Sequence, residues 1–354
     1  MYIARKITAL CVVFTATAFT AAAVELLAPA DNAKVMLLRS DWLQQISERS
    51  QRPRVSLEKI DKKDRMDLPQ PVTFMWKKKS DGMLKISCDK NFKTDVKTIP
   101  FAACDSLQVY NLKVGKTYYW QVITDKKVSE VRKFTADGTT PRYIAVPDGI
   151  PVNMRDAGGK AAAGGKRTRQ NMIFRGSEMH GDYAISNAAK NFMLNELKIR
   201  TDLDLRYPQI TARFQESALG KSVQWICMPI NAYQSFTAEQ NNYFRDTIKI
   251  FADHKNYPVY VHCTAGVDRT GEVIFLLDML LNVDEERAFQ DYEASSLSYY
   301  PRPRSIGYFQ RWLKTIAQMS PAGTPRNIQV ENYLKKIGVT SEDISNIRKI
   351  MLEQ

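Results

Sequence analysis

Residues 262–271 have the sequence HCTAGVDRTG, and this stretch decides the fold of the second half of the chain. It follows the apolar residues 259–261, which predict a buried strand, and it precedes the apolar residues 271–281, which predict a helix. A cysteine and an arginine separated by five residues, between a strand and a helix, predict a turn whose backbone N–H groups converge on one anion. The positive end of the helix would face the same point. The stretch therefore predicts a phosphate-binding loop.

The side chains of this loop predict nucleophilic chemistry. Arg269 and the helix end would lower the pKa of the Cys263 thiol, so that the thiolate attacks phosphorus and forms a cysteinyl-phosphate, which water hydrolyses. Thr270 is placed to hydrogen-bond the sulfur or to assist the leaving step, and His262 is expected to orient the loop rather than to transfer protons. The Arg269 fork would grip two phosphoryl oxygens. The residues expected to bind the phosphate are Thr264, Ala265, Gly266, Val267 and Arg269.

The leaving oxygen needs a proton, which a nearby carboxylic acid would supply. Asp268 lies inside the loop beside Arg269 and is the first candidate, with a structural acceptor that braces the loop as its alternative role. Asp204, at the end of a predicted strand, is the second candidate. For Asp204 we favour the alternative role, a buried ion pair with Arg206 or Arg175.

Two other interpretations of the loop are weaker. A free cysteine at the end of a core strand would not need the histidine before it, the glycine in the middle or the Thr-Gly pair after the arginine. A rhodanese-like sulfurtransferase also uses a cysteine loop, but that loop lacks the His-Cys and Arg-Thr-Gly flanks. The flanks therefore favour phosphoryl transfer.

The first 23 residues have the layout of a secretory signal peptide. Arg5 and Lys6 precede the apolar residues 7–19, and three alanines occupy positions 21–23. The apolar run is shorter than the ~20 residues that a membrane-spanning helix needs. We therefore expect export to the periplasm or the exterior, with cleavage after Ala23 and no transmembrane segment in the mature chain.

Residues 24–138 carry the signals of a small all-β sandwich. Residues 72–76 predict a strand, residues 80–82 a turn and residues 83–87 the returning strand. Further along, a glycine turn precedes a strand over residues 117–122, in which Tyr118, Trp120 and Val122 share one face, and a last strand ends at residues 133–135.

Residues 139–151 read as a linker, and residues 152–354 alternate between strand and helix periodicity. This alternation predicts an α/β domain with a mainly parallel sheet flanked by helices. The predicted strands cover residues 201–205 and 223–227, and the predicted helices cover residues 186–197 and 237–252.

Composition limits the partners and cofactors. The formal net charge of +13 suits anionic ligands, but no nucleic-acid motif accompanies it, so we expect no nucleic-acid partner. The chain contains three histidines, which gives little support to a His-rich metal site, and no cofactor is expected. Cys227 is expected to be a buried strand residue, and the sequence leaves open whether Cys88 and Cys104 form a disulfide.

Four stretches of the second domain resemble the bacterial tyrosine/serine phosphatases of the protein tyrosine phosphatase superfamily. Residues 153–159, NMRDAGG, resemble that family's Asn-x-Arg-Asp-x-Gly-Gly opening, and residues 173–177, 199–206 and 333–348 resemble its later segments. The resemblance implies a cysteine nucleophile, a phosphate-binding arginine, no metal and an acid drawn from within the loop. Myotubularin-like phosphatases resemble the loop too, with Asp directly before Arg, which supports Asp268 as the acid.

The N-terminal residues resemble a different family. The leucine, glycine turn and Tyr-Tyr-Trp-Gln-Val strand of residues 112–122, with the closing Phe-Thr, resemble fibronectin type III domains. The charged insertion over residues 39–69 departs from a compact domain of that kind. The resemblance implies a module that binds a partner or spaces the enzyme from a surface.

One position bears on the substrate. Family members that accept phosphoinositides usually carry Lys where this chain has Val267, so we expect phosphotyrosine, with phosphoserine and phosphothreonine as further substrates. A phosphoinositide or inositol-phosphate phosphatase is the alternative. A third possibility is a non-catalytic protein that binds phosphorylated ligands, which would need neither thiolate nor acid. The phosphoinositide alternative depends on a basic loop that would either fold over the site or stay solvated, formed by Lys160, Lys166, Arg167 and Arg169.

Overall fold

The computed structural model describes residues 24–40, 42, 67–125, 127–234, 236–298 and 306–353. The predicted signal peptide lies outside the described residues. The strands are β1 Leu26–Ala28, β2 Ala33–Val35, β3 Val72–Ser87, β4 Lys97–Val109, β5 Thr117–Thr124, β6 Arg132–Ala136, β7 Arg142–Tyr143, β8 Arg155–Asp156, β9 Ile173–Gly176, β10 Thr201–Asp204, β11 Gln224–Cys227 and β12 Val259–His262. The α-helices are α1 Asn187–Asn195, α2 Pro208–Thr211, α3 Ala238–Ile250, α4 Asp268–Leu280, α5 Glu285–Ala294, α6 Ile306–Ala317, α7 Arg326–Lys336 and α8 Ser341–Met351.

The first sheet contains β1 to β6 in the order β1-β3-β5-β6-β2, with β4 paired to β3. The predicted turn at residues 80–82 is wrong, because β3 runs without a break through it. The register against β4 shifts on both sides of Ser80, so that a bulge takes up the turn residues. Gly82 fits there because a Cβ atom at this position would collide with the Ile123 carbonyl of β5.

The strand that follows the glycine turn is confirmed. Gly115 has a φ of +67°, and β5 begins two residues later. Tyr118, Trp120 and Val122 are all buried, in a core that they share with Phe74 of β3 and other strand residues. All six strands form one hydrogen-bonded sheet, because β3 pairs with β1 near its beginning and with β5 at its end.

The second sheet has the order β11-β10-β12-β9-β8-β7. Strands β9 to β12 are parallel, whereas β7 and β8 pair antiparallel, so the sheet is mixed. Arg142 and Tyr143, inside the predicted linker, form the edge strand β7. In the parallel part, Asp204 aligns with both His262 and Cys227. The carboxyl ends of these strands therefore form one edge, where ligands of such sheets bind.

Helix α4 leaves this edge and crosses the centre of the second core. It begins at Asp268, three residues before the predicted start, and its residues 270–280 are all buried. Helix α3 lies within the predicted range 237–252, and it is capped by the Thr237 side chain, which accepts a hydrogen bond from the Gln240 N–H. Among the described residues, no helix is long and apolar enough to cross a membrane.

The cysteines outside the loop do not form a bridge. The thiols of Cys88 and Cys104 are both free. Cys104 of β4 lies opposite Ser80 of β3 in the strand register. Cys88 directly follows β3, so it lies eight residues from Ser80, or roughly 26 Å at ~3.3 Å per residue. Cys227 is exposed, which corrects the expectation that it is buried, since β11 is the edge strand. Although the residue is exposed, its sulfur is partly shielded from water, and this shielding and the charge of Asp204 raise the pKa of Cys227 to about 11, so this thiol is weakly reactive.

Candidate active site

Cys263 lies at the carboxyl edge of the second sheet, between the end of β12 and the start of α4. Its side chain is 3% exposed. Burial raises the pKa of this thiol, but the charge of Arg269 and the interaction with Thr270 lower it by more, and the net pKa is below the usual value. The Thr270 hydroxyl is buried, and none of the described residues forms a hydrogen bond of ordinary geometry with it. The site therefore favours the thiolate form of Cys263 more than water does.

Arg269 is held by two acceptors on either side of its guanidinium group. Nη1 donates to the Leu205 carbonyl at 3.3 Å, and Nη2 donates to Oγ1 of Thr264 at 3.3 Å. The guanidinium carbon also lies 5.2 Å from the centre of the Tyr207 ring. These long bonds leave donors of Arg269 free to bind an oxyanion more strongly.

The backbone of the loop is turned by contacts to its carbonyls. Nδ2 of Asn153 donates to the carbonyls of Ala265 and Gly266 at 3.2 and 3.0 Å, and Arg175 donates to the Gly266 carbonyl at 2.8 Å. The N–H and C=O groups of a trans peptide point in opposite directions, so these bonds turn the next amides towards the opposite side of the loop. Gly266 has a φ of +67°, and a Cβ atom there would collide with the Gly176 backbone.

A buried ionic cluster supports the loop from beneath. Asp291 accepts from Nε of Arg155 at 2.8 Å and from Nη1 of Arg175 at 2.7 Å. Lys160 lies 2.6 Å from Asp278 and 3.7 Å from Asp291. Burial and the neighbouring Arg155 lower the pKa of Arg175 to about 10, so the guanidinium is charged at neutral pH. Three cations face two carboxylates in this cluster, and the excess positive charge favours an anion in the loop above.

His262 precedes the nucleophile and lies in a second buried cluster. Nε2 lies 2.9 Å from Oδ1 of Asp202 and 3.9 Å from Asp204, while Nδ1 lies 3.1 Å from the Cys263 carbonyl. Burial of the ring lowers the pKa of His262, but Asp204 and Asp202 raise it more, to about 9. The imidazole is therefore charged at neutral pH and carries no free base to exchange protons with substrate.

Asp204 pairs with Arg206, which donates to its carboxylate from Nε at 2.8 Å and from Nη2 at 2.6 Å. Arg206 also contacts Glu178 at 2.5 Å. Burial raises the pKa of Asp204, but His262 and Arg206 lower it below the usual value. Arg175, the other predicted partner of Asp204, pairs with Asp291 instead.

Asp268 occupies the first turn of α4 and is partly exposed. Its Oδ1 accepts a hydrogen bond of 2.7 Å from the hydroxyl of Tyr233, which lies in the segment between β11 and α3. The Tyr233 hydroxyl also lies 2.5 Å from that of Tyr292. One turn along α4, the carboxyl group of Glu272 accepts from the Tyr233 N–H at 3.0 Å. Burial above all raises the pKa of Glu272 far above its usual value, so this carboxyl group is neutral.

The pocket rim differs from the predicted one. Val267 is 1% exposed, so this position does not present a side chain at the rim. Three members of the predicted basic loop are also engaged elsewhere. Lys160 is inside the ionic cluster, Arg167 donates to the carbonyls of Gly138 and Gly159, and Arg169 donates to the Leu352 carbonyl. Three of the four basic side chains of this loop are therefore bound elsewhere and Lys166 is exposed, so neither of the two alternatives left open, a loop folded over the site or a fully solvated loop, describes it.

Several residues of the site were absent from the predicted set. Asn153 and Arg155 lie in the NMRDAGG stretch, whose polar pattern could have indicated a structural role. Glu272 could have been noticed as an acid within an apolar helix, whereas Asp291 lies in a helix that has several other charged residues and gives no such signal. Tyr233 has no sequence signal, since only the fold brings it to Asp268. Within the described residues, no group of three or more His, Cys, Asp or Glu side chains is arranged to hold a metal.

Comparison with known proteins agrees with this geometry. One relative, a Cupriavidus necator protein with the provisional name tyrosine-protein phosphatase, is 27% identical in an alignment of 171 residues that covers 41% of this chain and 60% of that protein. The crystal structure of the core catalytic domain of the PP-IP phosphatase SIW14 from S. cerevisiae aligns with 46% of this chain and 93% of that domain. That alignment has 19% identity and a TM-score of 0.30, which does not define a shared function. The model of the tyrosine phosphatase family matches residues 150–353, more than half of the chain, and the chain belongs to this family.

Proposed function

We propose that this chain is an exported, cysteine-dependent protein tyrosine phosphatase that hydrolyses phosphomonoesters. The observation that carries the proposal is the buried Cys263, whose lowered pKa results from Arg269 and Thr270 acting against burial. A thiol with these surroundings is a nucleophile rather than a packing residue.

The proposed reaction has two steps. In the first, the Cys263 sulfur forms a bond to phosphorus, the bond from phosphorus to the ester oxygen breaks, and Asp268 gives its proton to that oxygen. In the second, Asp268 accepts a proton from a water molecule that attacks phosphorus, and the sulfur leaves as thiolate. Arg269 and the loop amides stabilise the charge on the transferring group in both steps.

Two observations favour Asp268 over Asp204 as the proton donor. Asp268 is partly exposed beside Arg269 on the turn that faces the loop. Asp204 is fully buried and both of its carboxylate oxygens accept hydrogen bonds from Arg206, so it cannot reach the leaving oxygen. A general acid must lie within hydrogen-bond reach of the oxygen that it protonates.

Aromatic side chains support a phosphotyrosine substrate. Tyr207 lies against Arg269, while Tyr233 contacts Asp268 and stacks on Tyr308, with 6.0 Å between the ring centres. Tyr308 is 55% exposed and can meet a substrate ring. The predicted basic loop, the main support for an inositol-phosphate substrate, lies at the C-terminus instead.

The location of the enzyme is the third part of the proposal. Export follows from the charge and apolar pattern of residues 1–23. The sheet of β1 to β6 would then be a fibronectin type III-like module that spaces the phosphatase domain from a surface or binds a partner. Secretion of the full chain by a bacterial host, with a mature N-terminus after Ala23, is the expected result, and a chain retained with residues 1–23 intact would contradict export.

The activity is tested by hydrolysis of a chromogenic aryl phosphate in the presence of a chelator. Wild-type protein is expected to turn over, Cys263→Ser to be inactive, and Asp268→Asn to lose about 10²–10⁴-fold in kcat. Asp204→Asn, checked for folding by circular dichroism, should keep far more activity than Asp268→Asn. Activity that survives Cys263→Ser would contradict the mechanism, and a preference for inositol phosphates over phosphotyrosine peptides would contradict the substrate class.

A further inference from the structure

Asp67 belongs to the N-terminal half of the chain but lies inside the catalytic half. Its side chain is 1% exposed, and its Oδ2 accepts a hydrogen bond of 2.8 Å from the backbone N–H of Asn153. Asn153 is itself fully buried and has a φ of +58°. This left-handed conformation is uncommon outside glycine and needs support from its surroundings. The carboxylate of Asp67 supplies part of that support.

The side chain of Asn153 carries this contact to the phosphate-binding loop. Its Nδ2 donates to the carbonyls of Ala265 and Gly266, and its Oδ1 accepts from Arg155. Because the arginine contacts Oδ1, the amide cannot flip without losing both sets of bonds. A change in the backbone of Asn153 would therefore move the group that turns the loop.

A second contact from the N-terminal half reaches the same neighbourhood. Trp42 is 1% exposed, packs with Tyr143, Ala294 and Leu297, and donates from Nε1 to the Tyr143 hydroxyl at 2.9 Å. The Tyr143 hydroxyl donates in turn to the Ala294 carbonyl at 3.3 Å. The next residue, Ser295, accepts from Nδ2 of Asn153 at 3.2 Å. The N-terminal half thus contacts both segments that surround Asn153.

We infer that Asp67 is a positioning residue for the phosphate-binding loop, acting through the backbone of Asn153 and its amide on the carbonyls of Ala265 and Gly266. The inference rests on the proposed function, because it assigns a role in that same site. It makes the N-terminal half part of the active-site scaffold.

Asp67 brings both a negative charge and an acceptor oxygen to this place. A carboxylate near the loop repels both the thiolate and a bound phosphate, so its charge would not help the loop to bind an anion. Its oxygen satisfies a buried N–H group that would otherwise be without a partner. Geometry is therefore the effect to test, and Asp67→Asn tests it, since the amide keeps an acceptor oxygen and removes the charge.

Two measurements on the full-length protein report the geometry of the phosphate-binding loop without relying on catalytic turnover. The first is the dissociation constant of tungstate, a tetrahedral oxyanion, measured by calorimetry. The second is the pH dependence of alkylation of the peptide that contains Cys263, followed by mass spectrometry. The variants are Asp67→Ala and Asp67→Asn, with Asp81→Ala as the matched control. Asp81 also accepts a hydrogen bond from a backbone N–H group, that of Ala103, but within the first sheet.

Asp67→Ala is expected to weaken tungstate binding about tenfold and to move alkylation of Cys263 to higher pH. Asp67→Asn and Asp81→Ala should stay within about twofold of wild type. Equal affinity and an equal alkylation profile for Asp67→Ala and wild type would overturn the inference. If Asp67→Ala does not fold, Asp67→Glu, which keeps the charge and displaces the carboxylate by one methylene group, should show the same weakening, and wild-type values there would overturn it. Turnover is recorded separately, so a wild type that binds tungstate without hydrolysing any ester would contradict the proposed function alone.

Discussion

The hydroxyl of Tyr233 donates a hydrogen bond of 2.7 Å to Oδ1 of Asp268. The Tyr292 hydroxyl, 2.5 Å from that of Tyr233, can donate to it in turn. Burial, the charge of Asp268 and the contact with Tyr292 raise the pKa of Tyr233 far above its usual value, so the phenol remains a donor. These two hydrogen bonds fix the orientation of the Asp268 carboxyl group, which we propose as the general acid.

Tyr233→Phe should therefore slow the reaction most where the leaving group needs protonation. We expect kcat to fall about tenfold with phenyl phosphate and to change little with a nitrophenyl ester, whose leaving group is stable as an anion. Tyr308→Phe is the matched control, because it removes a hydroxyl from the ring that stacks on Tyr233. Equal losses for both esters would show that Tyr233 serves folding rather than proton transfer.

Glu272→Gln should leave the protein as stable as wild type, or more stable, at pH 7. The raised pKa means that folded Glu272 is neutral while the unfolded side chain ionises above pH ~4.3, so the wild-type stability falls as pH rises from there towards the folded pKa. The glutamine variant lacks this decline. Urea unfolding at pH 5 and pH 7 measures it, and a glutamine variant that loses more than about 1 kcal/mol at pH 7 would contradict a neutral Glu272.

His262 also makes the stability depend on pH, but its folded form is charged at neutral pH, whereas that of Glu272 is neutral. Its pKa is raised to about 9 in the folded protein, so its contribution is complete below the unfolded value of 6.5 and is lost as pH rises through about 9. In a Cys263→Ser background, which removes the thiol titration, His262→Gln should cost on the order of 3 kcal/mol at pH 6 and little at pH 10. His254→Gln, a change of an exposed histidine, is the control. An unfolding free-energy difference that does not vary with pH would refute the charged His262.

Asp291→Ala should destabilise the fold by about 3–5 kcal/mol, because it leaves Arg155 and Arg175 buried without their shared carboxylate. Asp246→Ala, which removes a partner from the partly exposed Arg245, should cost far less. Urea unfolding of the two variants makes the comparison. Similar losses would mean that the ionic cluster does not support the loop.

The part of the site that lies on consecutive residues was predictable. Cys263, Asp268 and Arg269 share one strand-loop-helix segment, so their proximity follows from chain connectivity. The pairing of Asp204 with Arg206 was expected as well, because the two residues are neighbours at a strand end. Local spacing decides such contacts, and tertiary packing does not change them.

Contacts between distant segments were not predictable. Tyr233 reaches Asp268 only because β11 and α4 share one edge of the sheet. Lys160 was expected in an exposed basic loop, but it is buried because two carboxylates bind it. The prediction of a turn at residues 80–82 was wrong for a similar reason, because pairing with β4 and β5 keeps β3 extended through a glycine. In each case tertiary partners outweighed a local signal.

The most direct test of the account is the covalent intermediate on Cys263. Wild-type protein would be mixed rapidly with an aryl phosphate, quenched in acid and digested, and the peptide containing Cys263 weighed by mass spectrometry. We expect that peptide to gain the mass of one phosphoryl group as a burst of phenol is released, and we expect no such gain in Cys263→Ser. Turnover with no phosphoryl group on Cys263, or with the group on another residue, would contradict it.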